Sequence, residues 1–104
     1  MIVRVWFGHA APDRADAYVR HVTSRVFPGL AEIRGHRGAL LLQRSAEGGV
    51  EFVVLTLWDS MDAVREFAGP DPERAVVEPN ARAVLSDFDE LVRHYDVISG
   101  SLGT

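Results

Sequence analysis

Apolar residues along this chain change period several times, and each change marks an element. Ile2 to His9 is rich in β-branched and aromatic residues and predicts a first strand. Its alternation puts Val3, Val5 and Phe7 on one face and Ile2, Arg4, Trp6 and Gly8 on the other. From Pro12 the period lengthens. Ala15, Tyr18, Val19, Val22 and Val26 fall in one stripe of a helix, with Asp13 and Asp16 at its positive end and Pro28-Gly29 as the expected stop. An irregular stretch to Gly38 precedes a second strand, Ala39–Arg44, and Glu47-Gly48-Gly49 turns the chain into a third, Val50–Trp58. Ser60 can cap the next helix, in which Val64, Phe67 and Ala68 share a face before Gly69-Pro70 ends it. Asp71-Pro72-Glu73 predicts a short helix up to Glu78. Pro79 opens another, with Ala81, Val84, Leu85 and Phe88 in phase. Leu91–Ile98 predicts the last strand, and Ser99–Thr104 a polar tail.

The order is β-α-β-β-α-β, with the second helical region in pieces. This is the split arrangement of a ferredoxin-like α+β fold, with helices on one face of an antiparallel sheet. The expectation is one domain over residues 1–104, its core at 2–98. A strand with one face in water should alternate apolar and polar residues, and the third strand does not. Phe52, Val54, Thr56 and Trp58 lie on one side; Val53, Leu55 and Leu57 lie on the other, and Leu40, Leu41 and Leu42 are apolar on both. Helices of the same chain can cover only one face, so a homodimer packed sheet to sheet is expected.

Composition narrows the partners. The net charge is −4, all eleven basic residues are Arg, and they are scattered from Arg4 to Arg93, which leaves no basic stripe for nucleic acid. Apolar stretches such as Phe52–Trp58 fall far short of the ~20 residues that span a bilayer, and the N-terminus does not have the pattern of a signal peptide, so a cytoplasmic protein is expected. Cysteine is absent, and no H-x-H or H-x-x-x-H spacing suggests a metal site.

The segment Thr56-Leu57-Trp58-Asp59-Ser60-Met61-Asp62-Ala63, followed by Phe67-Ala68-Gly69, resembles the strand-to-helix junction of antibiotic-biosynthesis monooxygenase (ABM) domains. Arg4-Val5-Trp6 and His94-Tyr95-Asp96-Val97 are similar to the family's first and last strands, so the likeness runs from Ile2 to Ile98. It implies a dimeric α+β barrel with a ligand cavity between helices and sheet. Members include cofactor-free oxygenases of aromatic polyketides, haem-degrading enzymes and polyketide cyclases. The haem-degrading members share an Asn on the first strand, a Trp on the second helix and a His ten residues later. Trp6, Phe67 and Val77 hold those places here, so the resemblance speaks against haem degradation and gives no motif for a haem cofactor, with haem binding through another His as the alternative.

The leading expectation is therefore an oxygenase of a small aromatic or polyketide-type substrate that uses O2 without a bound cofactor. Such chemistry needs a base, an anion-stabilising donor and apolar walls. His94 is the candidate base, because an imidazole titrates near neutrality. Arg4 is the candidate anion stabiliser, with pairing to an acid such as Glu51 as the alternative. Trp6, Trp58 and Phe67 are candidate walls, each Trp with one N–H to offer. Tyr95 is a candidate substrate contact that points to the opposite face from His94. His21 falls on the polar side of the first helix, where a solvated role is expected. The alternatives are a non-catalytic dimer that binds haem or another apolar molecule, and a polyketide cyclase-like enzyme.

Overall fold

The computed structural model describes residues 1–101, so the last three residues of the expected tail at 99–104 lie outside the described residues. Three long strands make the sheet: β1 (Ile2–Ala10), β2 (His36–Ala46) and β3 (Gly49–Trp58). Their spatial order is β2-β3-β1, all antiparallel. The free edge of β1 is shared by two short strands, β4 (Asp87–Phe88) against Gly8 and His9, and β5 (Arg93–Asp96) against Ile2 to Val5. This is the ferredoxin-like α+β arrangement that the element order predicts. The β2–β3 hairpin closes through Glu47 and Gly48, and Gly48 takes the positive φ of +79° that such a two-residue turn requires.

One face of the sheet carries the helices. A long helical body runs from α1 (Ala15–His21) through a wide turn at Val22–Val26 into α2 (Phe27–Ala31). In the wide turn the Phe27 N–H reaches back five residues to the Val22 carbonyl, and the Thr23 and Ser24 hydroxyls donate to the carbonyls of Val19 (2.9 Å) and Arg20 (2.5 Å). Pro28-Gly29, expected to stop the helix, lies inside it. Proline offers no N–H and would collide with the carbonyl four residues back in a regular helix, and the wide turn just before it relaxes that demand. Helix α3 (Met61–Ala68) begins as predicted: the Ser60 hydroxyl accepts the Ala63 N–H at 3.2 Å, and Gly69 ends it at φ +89°. Helix α4 (Pro79–Val84) opens on Pro79.

Two expectations need correction. The residues from Asp71 to Glu78 are not helical. Arg74 bridges to Leu91, Ala75 N–H bonds Glu90 O (2.9 Å) and Val92 N–H bonds Glu73 O (2.8 Å), so pairing with the chain after β4 satisfies this backbone instead. Phe88 and the final strand also differ: α4 ends at Val84, Phe88 pairs with Gly8, and the last strand shortens to Arg93–Asp96. Ser86 N–H and Asp89 N–H bond the carbonyls of His9 and Phe7, and these edge bonds override the helical phase of the side chains.

Two clusters fill the space between helices and sheet. Trp6, Phe52, Tyr18, Val22, Ala81 and Val92 form the larger; Trp58, Val64, Leu30 and Ala63 form the smaller. The far face of the sheet is different. Leu40 (50%), Leu42 (43%) and Phe7 (37%) are exposed there beside half-buried Val3, Val5, Val53 and Leu55. The two-faced apolar pattern in the sequence therefore corresponds to one covered face and one uncovered face in the protomer.

Removing the Ser60 cap tests the α3 junction. Ser60→Ala should cost about 1 kcal/mol in urea unfolding, whereas exposed Ser99→Ala should leave the midpoint unchanged.

Candidate active site

A cavity of about 80 Å³ lies between the long helix, the sheet and the segment leading into α4. Strand β1 supplies Arg4 and Trp6 as alternate residues, and β3 supplies Val54 and Thr56 from the neighbouring positions of the same face. The helical side supplies Tyr18, His21, Val22, Val26 and Leu30, while Phe67, Val76, Val77, Glu78, Ala81 and Val92 close the rest. The lining is chiefly apolar carbon with a few polar groups, the usual make-up of a small-molecule site.

Arg4 is the charged group at its floor and only 5% of it is exposed. Its guanidinium donates to Pro72 O (2.5 Å) and Arg74 O (2.9 Å), stands 3.0 Å from His94 Nε2, and lies 5.6 Å from the centre of the Phe67 ring. No carboxylate pairs with it among the described residues. Glu51, the acid considered for it, is instead held by Arg44 of β2 at 2.8 Å and His9 of β1 at 3.5 Å. Burial lowers the Arg4 pKa to about 10, which leaves it charged at neutral pH. A buried cation facing carbonyl dipoles, a neutral imidazole nitrogen and an aromatic ring, with no carboxylate, is under-compensated, and an anionic oxygen in the cavity would complete it.

His94 and Arg4 are opposite one another across the β1–β5 pairing. A guanidinium has no acceptor, so His94 Nε2 must be the accepting, unprotonated nitrogen and the ring is neutral. Burial and the adjacent Arg4 charge lower the His94 pKa, and Glu73 opposes them. His94 is not part of the cavity wall. The expected base therefore stands behind Arg4 with its lone pair engaged, a geometry suited to positioning the guanidinium.

The aromatic candidates separate. Trp6 lines the cavity and lies across Gly8, where a Cβ would run into the indole ring. Phe67 lines it too. Trp58 does not: fully buried, it stacks behind Phe67 with ring centres 5.8 Å apart. Neither indole N–H is free for a ligand, because Trp6 donates to Asp89 O (3.0 Å) and Trp58 to Thr56 Oγ1 (2.8 Å). Tyr95 pairs with Val3 on the uncovered face, 52% exposed, and does not reach the cavity. Trp6, Phe67 and Val77, the three places compared with haem-degrading enzymes, all line this one cavity.

His21 is the residue that sequence reasoning missed. It lines the cavity, and its Nε2 is enclosed with no hydrogen-bond partner. Its spacing, three residues after Tyr18 and next to Val22, placed it at the margin of the apolar stripe. That was the only available signal. Tyr18 is 4% exposed and burial holds its hydroxyl protonated.

An α+β sheet with an apolar, cation-floored cavity under its helices is the class of protein that fold and site define. A profile of the antibiotic biosynthesis monooxygenase family matches residues 1–79, and the chain belongs to that family. No curated protein matches it significantly. Solved structures show the same fold at low identity. A monooxygenase from the ActVA-Orf6 gene of Streptomyces coelicolor, in complex with nanaomycin D, shares 18% identity at a TM-score of 0.65, with 99% of this chain and 92% of that one covered. SnoaB, a cofactor-independent oxygenase from Streptomyces nogalater, gives 18% and 0.65 with 95% and 94% covered. MhuD, with two manganese protoporphyrin IX molecules bound per active site, gives 20% and 0.63 with 99% and 100% covered.

The His94–Arg4 contact generates a pH prediction. The unfolded chain binds the His94 proton more tightly than the folded one, so its stabilising share is full above the unfolded pKa near 6.5 and is lost as pH falls through the lower folded value. His36, lowered mainly by burial, acts in the same direction. Urea midpoints should fall between about pH 7 and about pH 5. His94→Gln, which keeps an acceptor but has no proton to gain, should flatten part of that slope.

Proposed function

We propose that this protein is a cofactor-independent monooxygenase of a small electron-rich phenol or enol, and that it works as a homodimer. The observation that carries the reading is Arg4: a buried cation without a carboxylate, facing an apolar cavity. A phenolate or enolate oxygen at Arg4 would satisfy the guanidinium and hold the substrate in its oxidisable, anionic form. His94 would keep the guanidinium aimed, and Trp6 and Phe67 would exclude water from the reacting carbon. The balance needs no outside reductant. A substrate methylene gives up four electrons to O2, one oxygen atom becomes its carbonyl and the other leaves as water.

At about 80 Å³ the cavity is smaller than the ~150 Å³ that admits benzene in an engineered core, so a ligand must push a wall outward. Val76 to Glu78 is the wall able to move: it has no regular structure, and Val76 is 46% exposed. Haem fits this site poorly. The place that carries an axial His in the haem-degrading relatives is Val77, which has no donor atom. The uncovered sheet face supports the dimer, because a contiguous apolar surface with Leu40, Leu42 and Phe7 exposed is rarely left to water.

Oxygen uptake with dihydroxy-anthracene and naphthol substrates tests the activity. We expect one O2 consumed per product, and at least a tenfold loss in Arg4→Met and in Arg4→Lys, about 1.4 kcal/mol of transition-state stabilisation. Uptake no greater than with boiled protein would refute the reading, and equal product formed anaerobically would point to a cyclase. Haem titration should give no Soret shift; a shift lost in His21→Ala would favour the binding-module alternative. Light scattering should report twice the chain mass, and Leu40→Asp with Leu42→Asp should reduce it to one chain. A single-chain wild-type species would end the dimer proposal.

A further inference from the structure

We propose that His21 is the proton acceptor of the cavity, and that its ligand is a hydroxyl compound conjugated to an acceptor oxygen, the hydroxyl at His21 and the oxygen at Arg4. The inference rests on the reading above and adds to it the substrate class and the residue that ionises it.

Two independent features of the structure single out His21. The first is the orphaned nitrogen. Enclosed polar atoms almost always have a partner; His21 Nε2 and His36 Nε2 have none among the described residues, and of the two only His21 lines the cavity. The second is the wide turn that begins at the next residue. Tyr18, Val22, Val26 and Leu30 are spaced four apart, and a regular helix would rotate such a row by about 40° per step. The wide turn winds less per residue and pulls the row back, so all four line the cavity beside His21. Wide helical turns of this kind are rare and concentrate at functional sites.

The chemistry of the other groups leaves His21 as the acceptor. Of the remaining titratable or charged side chains around the cavity, Arg4 only donates. Tyr18 is kept protonated by burial, and Glu78 is exposed at the mouth. A hydroxyl suits an imidazole nitrogen in either tautomer. An oxygen that becomes negative suits the guanidinium. A ligand meeting both carries the two groups across a conjugated ring or enone. When the O–H proton moves to Nε2, the O–H bond breaks, an N–H bond forms, and the electron pair delocalises to the oxygen at Arg4. No oxidant takes part in this step.

4-Nitrophenol is a single-ring probe of that pattern, with a nitro oxygen for Arg4 and a hydroxyl for His21. Its visible phenolate band is recorded bound to the whole protein at a pH where the free probe is mostly neutral. We expect wild type to convert the bound probe to phenolate, and His21→Gln and His21→Ala to bind it with at least a tenfold smaller phenolate fraction. Glu66→Gln, on the exposed side of α3 and outside the cavity wall, should behave as wild type. Circular dichroism identifies which variants are folded, and a shift of the His21 ring-nitrogen NMR signal on probe binding to wild type gives a reading that needs no variant. The inference is overturned by an undiminished phenolate band in the His21 variants, by loss of the band in Glu78→Gln alone, by an unmoved His21 signal, or by no binding to wild type. A phenolate band in a protein that consumes no oxygen would support His21 and refute the oxygenase reading, so the two fail separately.

Discussion

One buried positive charge organises this protein. Arg4 sits on a sheet face that is otherwise chiefly apolar, where a guanidinium is stable only if its donors are occupied. Pro72 and Arg74 carbonyls occupy two of them and His94 a third contact, so a single side chain ties β1 to β5 and to the irregular segment between α3 and α4. That segment continues directly into Val76–Glu78, the wall of the cavity. The same interaction that fixes the fold around the last strand therefore also fixes the shape of the site. It leaves the charge turned toward the cavity without a carboxylate, which is the feature a ligand would complete.

The sheet is asked to bury two apolar surfaces with helices available for one. Trp6, Phe52 and Trp58 are covered and essentially dry, whereas Leu40 and Leu42 on the other side are half in water. The imbalance follows directly from strand β3, whose two sides are both apolar, and no arrangement of these helices within one chain removes it. The division of labour is plain: one face makes a cavity within the protomer, and the other is left uncovered.

How much could be read in advance depends on how local each cause is. The Ser60 cap, the Glu47–Gly48 turn, the Gly69 stop and the strand alternation through Arg4 and Trp6 are local, and the residues involved announce them. Phe88 reads as helical from its phase with Ala81 and Val84, and Asp71–Glu78 from the Asp71-Pro72-Glu73 start, but distant backbone partners at β1 and at Glu90 satisfy these segments instead. Pro28-Gly29 reads as a helix stop until the wide turn at Val22–Val26 is seen. Nothing in the identity of those five residues signals it. His21 was misassigned for the same reason, since its exposure depends on how the helix is wound and on what packs beside it.

By itself the sequence determined the element order, the antiparallel α+β architecture, the two-sided apolar hairpin and the placement of Arg4 and Trp6 on one strand face. All of these are set by residue type and period along a short stretch. Tertiary structure alone decided which groups meet: that His94 engages Arg4, that Trp58 supports Phe67 from behind, that Tyr95 falls outside the cavity and that His21 enters it. Contacts between residues far apart in the chain depend on register and packing, and a shift of one position in a strand or a change of winding in a helix reverses them without altering any local pattern.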